Sequence, residues 1–146
     1  MPEIQWFRAY VEQILAAGWD QCRVEADQDG DYVFRFGTAA CLVRIEKGPP
    51  LGVRVIATAA TGVRRTAKLL TELNELNAAA RAVSTFWHCG SVYVDRALDA
   101  PGVDAETLMA TCSEVGTAAD MIGALIAGVF DGATPFAAVG AEDEPG

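Results

Sequence analysis

The chain has 146 residues, 51% of them hydrophobic and 21% charged, which suits one packed domain and is too apolar for a disordered chain. Its net charge of −9 is carried wholly by residues 82–146, where ten acids face one arginine; that surface repels phosphate backbones and disfavours nucleic acid as a partner. Neither a run of about 18 apolar residues nor a basic-then-apolar leader is present, so the sequence predicts a cytoplasmic protein with no membrane partner.

Residues 2–17 place Ile4, Phe7, Val11, Ile14 and Leu15 on one helical stripe, with Pro2 suited to a first turn and Gly18 to a stop. The period then falls to two. Cys22, Val24 and Ala26 alternate with polar residues and predict a short strand at 22–26, followed by turn chemistry in Asp27-Gln28-Asp29-Gly30-Asp31. Tyr32, Phe34 and Phe36 alternate next, then Cys41, Val43 and Ile45, then Val53, Val55, Ala57 and Ala59 after the break at Pro49-Pro50. Connections this short force antiparallel neighbours.

Helical spacing returns with Leu69, Leu70, Leu73, Leu76 and Ala80, predicting a helix over 66–81. Residues 83–87 and 91–98 read as a hairpin around Cys89-Gly90. Asp104 is suited to cap a last helix over 105–130, where Leu108, Cys112, Val115, Ala119, Ile122, Ile126 and Val129 form a stripe. Met109, Met121, Leu125 and Phe130 lie off that stripe, so the helix is expected to be covered on more than one side, by the first helix or by a second copy. The reading is one α+β domain, residues 1–132, built as helix, three antiparallel strands, helix, two strands and helix, and a flexible acidic tail at 133–146.

No phosphate loop, nucleophile elbow or zincin motif occurs. The four scattered cysteines (Cys22, Cys41, Cys89, Cys112) and the lone His88 lack metal-ligand spacing, so reduced thiols, no metal and no cofactor are expected. His88 and Cys89, as strand neighbours, should point to opposite faces unless the turn bends them together. Asp27, Asp29 and Asp31 superficially suggest a calcium loop but have no later bidentate glutamate and no following helix. Arg64 and Arg65, at the entry to the second helix, read as solvated cations. No catalytic residue is assigned.

Leu69-Leu70-Thr71-Glu72-Leu73-Asn74-Glu75-Leu76-Asn77 carries a further signal. Together with the Val92-Tyr93-Val94 strand, the Asp99-Ala100-Pro101-Gly102-Val103-Asp104 loop and the closing Phe130-Asp131-Gly132, it resembles the YbjN-like family over roughly residues 4–132. That family, common as small actinobacterial domains and described as sensory transduction regulators, shares the fold of type III secretion chaperones. The resemblance implies the element order above, with any strand at 22–26 an addition, and chaperones of this fold dimerise and hold an extended client segment. Asn74 and Asn77, three apart on one helix face, are expected to bond loop backbone and fix the helix to the sheet; their functional alternative is a dimer or client interface. With Arg64 and Arg65 they make up the candidate protein-binding set. The expected function is a non-enzymatic protein-interaction module, chaperone-like or regulatory, acting as a homodimer on a client protein. The alternative is a small-molecule-sensing domain with a pocket between sheet and helices.

Overall fold

The computed structural model describes residues 2–137. Helix α1, Pro2–Gly18, buries Phe7, Val11, Ile14 and Leu15 on one stripe. Three strands follow as a meander: β1 (Asp31–Phe36), β2 (Ala39–Glu46) and β3 (Gly52–Ala60). Helix α2, Ala67–Ala79, then leads to the hairpin of β4 (Ser84–His88) and β5 (Ser91–Asp99). A single 3-10 turn, Ala100–Gly102, precedes helix α3, Ala105–Val129. The sheet order is β1-β2-β3-β5-β4, and every neighbouring pair is antiparallel.

The registers sort the strands into two faces. On one, Cys41 lies opposite Ala57 and Val43 opposite Val55, and Ala57 opposite Val94; all are buried. Helix α3 lies across this face and buries Leu108, Cys112, Val115, Ala119 and Ile126 against it. Fully burying one such aliphatic side chain contributes about 1.5–3 kcal/mol, so this interface is a substantial source of stability. Gly123 allows the close approach: a Cβ there would run into the Ala59 carbonyl. Helix α3 is long and apolar enough to cross a membrane by length and composition alone; eight of its residues are buried, on the side that meets the sheet. The other face carries no helix among the described residues, with Val33, Leu42 and Ile56 in one row and Arg44 paired to Asp31 at 3.0 Å.

Two elements differ from the sequence expectation. Helix α2 stops at Ala79 rather than residue 81, because Ala80 turns to an extended conformation (ψ 145°) and sends the chain back towards β4. Residues 22–26 form no strand. One rung joins them to β1, the Asp27 amide donating to the Asp31 carbonyl at 2.8 Å. Beyond it Trp19 packs on Phe34, ring centroids 5.2 Å apart, and the groove separates the two segments. Past α3, Ala133 and Thr61 exchange backbone hydrogen bonds of 2.7 and 2.9 Å, and the Phe136 amide donates to the Thr38 carbonyl. The rest of the acidic segment, 138–146, lies outside the described residues.

Candidate functional site

An open sheet has two edges, and each leaves a row of main-chain groups to be satisfied. The two edges here differ. In the β4–β5 hairpin, His88 and Ser91 close a two-residue turn, so alternation turns the backbone groups of Thr85 and Trp87 outward. The Asn77 side chain meets Thr85 like a neighbouring strand. Its Nδ2 donates to the Thr85 carbonyl at 2.9 Å, and its Oδ1 accepts from the Thr85 amide at 2.6 Å and from the Thr85 hydroxyl at 2.9 Å. Beside it the Trp87 indole donates to the Val63 carbonyl at 2.8 Å, holding the loop before α2 against the same edge. The β4 edge is capped at Thr85.

The β1 edge is not. Phe36 and Ala39 close the β1–β2 turn, which turns the even-numbered residues of β1 towards β2 and the odd-numbered ones outward. The Asp31 carbonyl agrees, since it accepts from Asp27 across that edge. Val33, next along, is 62% exposed. Beside this edge runs a groove of about 860 Å³. Its apolar lining includes Trp19, Val24, Phe34, Phe36 and Met109, and Arg23, Glu25 and Arg35 also border it.

The groove's inner wall is fixed by polar contacts. Tyr32, buried on β1, donates from its hydroxyl to Glu12 at 2.6 Å and accepts from Arg8 at 3.0 Å. Burial first, and the hydrogen bond to Glu12 second, push its pKa up to about 12, so it stays a neutral bridge between α1 and β1. At the β1–β2 turn, Asp120 of α3 accepts from the Thr38 amide (2.8 Å) and hydroxyl (2.7 Å); these bonds hold its carboxyl below the usual range.

The other singled-out residues fall elsewhere. Asn74 is exposed, as are Arg64 and Arg65, which precede the helix cap Thr66, whose hydroxyl accepts from the Leu69 amide. Structure brings none of the three to the groove. His88 and Cys89 do meet, Sγ to Nε2 at 3.4 Å, because Cys89 adopts a left-handed conformation (φ 47°) that suspends strand alternation. Asp27, Asp29 and Asp31 bring carboxylate oxygens within 4.8 Å of one another. Asp31 is nonetheless gripped by both Arg44 donors at 3.0 Å, and one Asp27 oxygen accepts the amides of Asp29 and Asp31, which is turn chemistry. Cys22 and Cys89 are exposed; Cys41 and Cys112 are buried, with thiol pKa values pushed by burial to about 11 and 12. Sequence reasoning missed Trp19, Val33 and Met109 as groove residues. The signal available was the odd exposed valine in an otherwise alternating strand.

No curated protein matches the chain. Among solved structures, a chain of the ExsC–ExsE complex superposes with a TM-score of 0.66 at 12% identity, covering 81% of this chain and 94% of that one. A chain of the HopA1–SchA chaperone–effector complex superposes with a TM-score of 0.62 at 10% identity, covering 81% and 95%. Both likenesses are of fold. The family profile TY-Chap1, described as T3SS (YopN, CesT) and YbjN peptide-binding chaperone 1, matches residues 5–138, and the chain belongs to this family.

Proposed function

We propose that the chain is a non-enzymatic, chaperone-like peptide-binding module of the cytoplasm, acting as a homodimer. It takes an extended client segment as an added strand on β1, and alternate client side chains enter the groove. The observation that carries this is the asymmetry of the edges: the Asn77 amide caps β4 at Thr85, while among the described residues β1 has no partner strand on its outer side and runs beside an apolar trough. Strand addition draws affinity from main-chain hydrogen bonds and selectivity from side-chain pockets. The six residues of β1 offer a track of about 20 Å. The family's description as a peptide-binding chaperone and the chaperone–effector complex among the structural neighbours support the reading. A second copy is supported by Met121, Leu125 and Val129, exposed at successive fourth positions of α3. The small-molecule alternative draws on the groove's volume, which lies within the ligand-pocket range.

The test is selection of phage-displayed random peptides on the purified chain, then affinity measurement with Val33→Pro and Val33→Ala. Proline removes the one donor of Val33, which faces the edge and not β2. Val33→Pro should weaken selected peptides about tenfold, near the contribution of one main-chain hydrogen bond, while Val33→Ala stays close to parent. Failure to select any peptide, or equal binding by both variants with the fold intact, refutes the docking mode. Light scattering across a hundredfold dilution tests the dimer.

A further inference from the structure

We propose that residues Gln21–Ala26 are an internal competitor for the β1 edge: this arm closes onto β1 as a sixth strand, and a client strand binds only while it is splayed, as it is in this structure. The inference rests on the peptide-docking reading of that edge.

The arm and β1 are two sides of a hairpin that has formed only at its turn. The Gly30 amide donates to the Asp27 carbonyl at 2.9 Å, and Gly30 sits at φ 83°, the arrangement of a short hairpin loop ended by a left-handed glycine. Asp27 fixes it further, its Oδ1 accepting from the Asp29 and Asp31 amides at 2.9 Å. The Asp27-to-Asp31 backbone bond is the first rung. Continuing that register places Ala26, Val24 and Cys22 opposite Tyr32, Phe34 and Phe36, and Glu25 and Arg23 opposite Val33 and Arg35. Every arm residue then falls on the face its chemistry suits. Val24 and Ala26 are already partly buried against the core, while Arg23 and Glu25 are exposed and paired to each other.

Above the first rung the two segments part, and the gap between them is the groove. Two features hold the ladder open. The Trp19 ring packs on the Phe34 side chain that Val24 would face, and Arg35, which closure would set across from Arg23, is already engaged by the Gly37 and Ala137 carbonyls and the Phe136 ring. A complete turn and matched alternation favour closure; the Trp19 contact and the prior engagement of Arg35 oppose it. That balance gives two accessible arm positions. The apparent affinity for a client is then the intrinsic affinity scaled by the splayed fraction.

The experiment uses the full chain under reducing conditions and, as probe, a labelled synthetic peptide with the sequence of residues 20–27, read by fluorescence anisotropy. Glu25→Pro removes the arm amide that would face β1 on closure; Glu25→Ala keeps it and serves as control. Glu25→Pro should bind the probe about threefold tighter or more, the factor for a splayed fraction near one third. Glu25→Ala should match the parent. Hydrogen exchange at the Val33 amide should speed up in Glu25→Pro alone, with exchange in α3 unchanged as evidence of an intact fold. Equal probe affinity and equal Val33 exchange in parent and Glu25→Pro overturn the proposal. Faster Val33 exchange without any probe binding supports closure of the arm and refutes instead the docking reading of the edge.

Discussion

Replacing Asn77 with alanine removes three hydrogen bonds at once, to the amide, carbonyl and hydroxyl of Thr85. Thr85 is only 4% exposed, so its main-chain groups lose their partners in a largely dry position, whereas Asn77 itself is exposed and leaves a space that water can enter. A neutral hydrogen bond contributes about 1 kcal/mol net and a buried orphan group costs about 1–3 kcal/mol. Partial rehydration places the total near 2–3 kcal/mol. At roughly 2–4 °C per kcal/mol for a domain of this size, Asn77→Ala should lower Tm by about 5–10 °C. Urea unfolding followed by tryptophan fluorescence suits the purpose, since Trp87 lies on β4 itself. Asn77→Asp keeps the acceptor and loses the donor to the Thr85 carbonyl, so it should fall between parent and alanine. Asn74→Ala, at an exposed site, should stay within about 0.5 kcal/mol of parent. An Asn77→Ala midpoint equal to that of Asn74→Ala would refute the edge-capping role.

Gly123→Ala should destabilise by about 1–3 kcal/mol despite alanine's better helix propensity, because the added methyl meets the Ala59 carbonyl, which is backbone; equal or greater stability in chemical denaturation would show that the helix shifts freely. The Asp120 carboxyl is held below its ordinary pKa by the Thr38 amide and hydroxyl, so its contribution is present above the unfolded pKa and lost as pH falls through the folded one. Asp120→Asn should therefore flatten the stability profile below about pH 4, and an unchanged acid limb would contradict this. Native protein should show two thiols, Cys22 and Cys89, that react quickly with a disulfide reagent, and two, Cys41 and Cys112, that react only on unfolding, since burial raises both of the latter; four fast thiols would mean an open core.

Helix α1 and helix α3 were legible because their stripes run for four turns or more, and β1 to β3 because alternation and short connections left one pairing mode. The alternation at 22–26 was equally good, yet alternation does not by itself bring two backbones together, and above the Asp27–Asp31 rung the segments stand apart with the groove between them. The groove was not legible because Trp19, Phe34 and Met109 belong to three elements brought together only by packing. Asn77 could be singled out by its helix-face position, and its expected bond to backbone is found at Thr85. Asn74, given the same expectation, is merely exposed. Nothing in the two side chains distinguishes them; only the path of the chain after Ala80 does. The His88–Cys89 contact depends on one left-handed residue, which strand alternation cannot foresee.

The unequal edges also bear on the valence of the molecule. A sheet open at both sides is divalent: each copy can accept one neighbour and offer itself to another, and such head-to-tail pairing need never close. With the Thr85 groups taken by Asn77, a strand added at β4 would forgo the hydrogen bonds of that residue, so edge-to-edge pairing is biased towards β1. A protein whose exposed strand is meant to catch extended peptides runs a standing risk of catching itself. One asparagine on a helix, outside the groove's lining, takes a rung from the edge along which such pairing would otherwise spread.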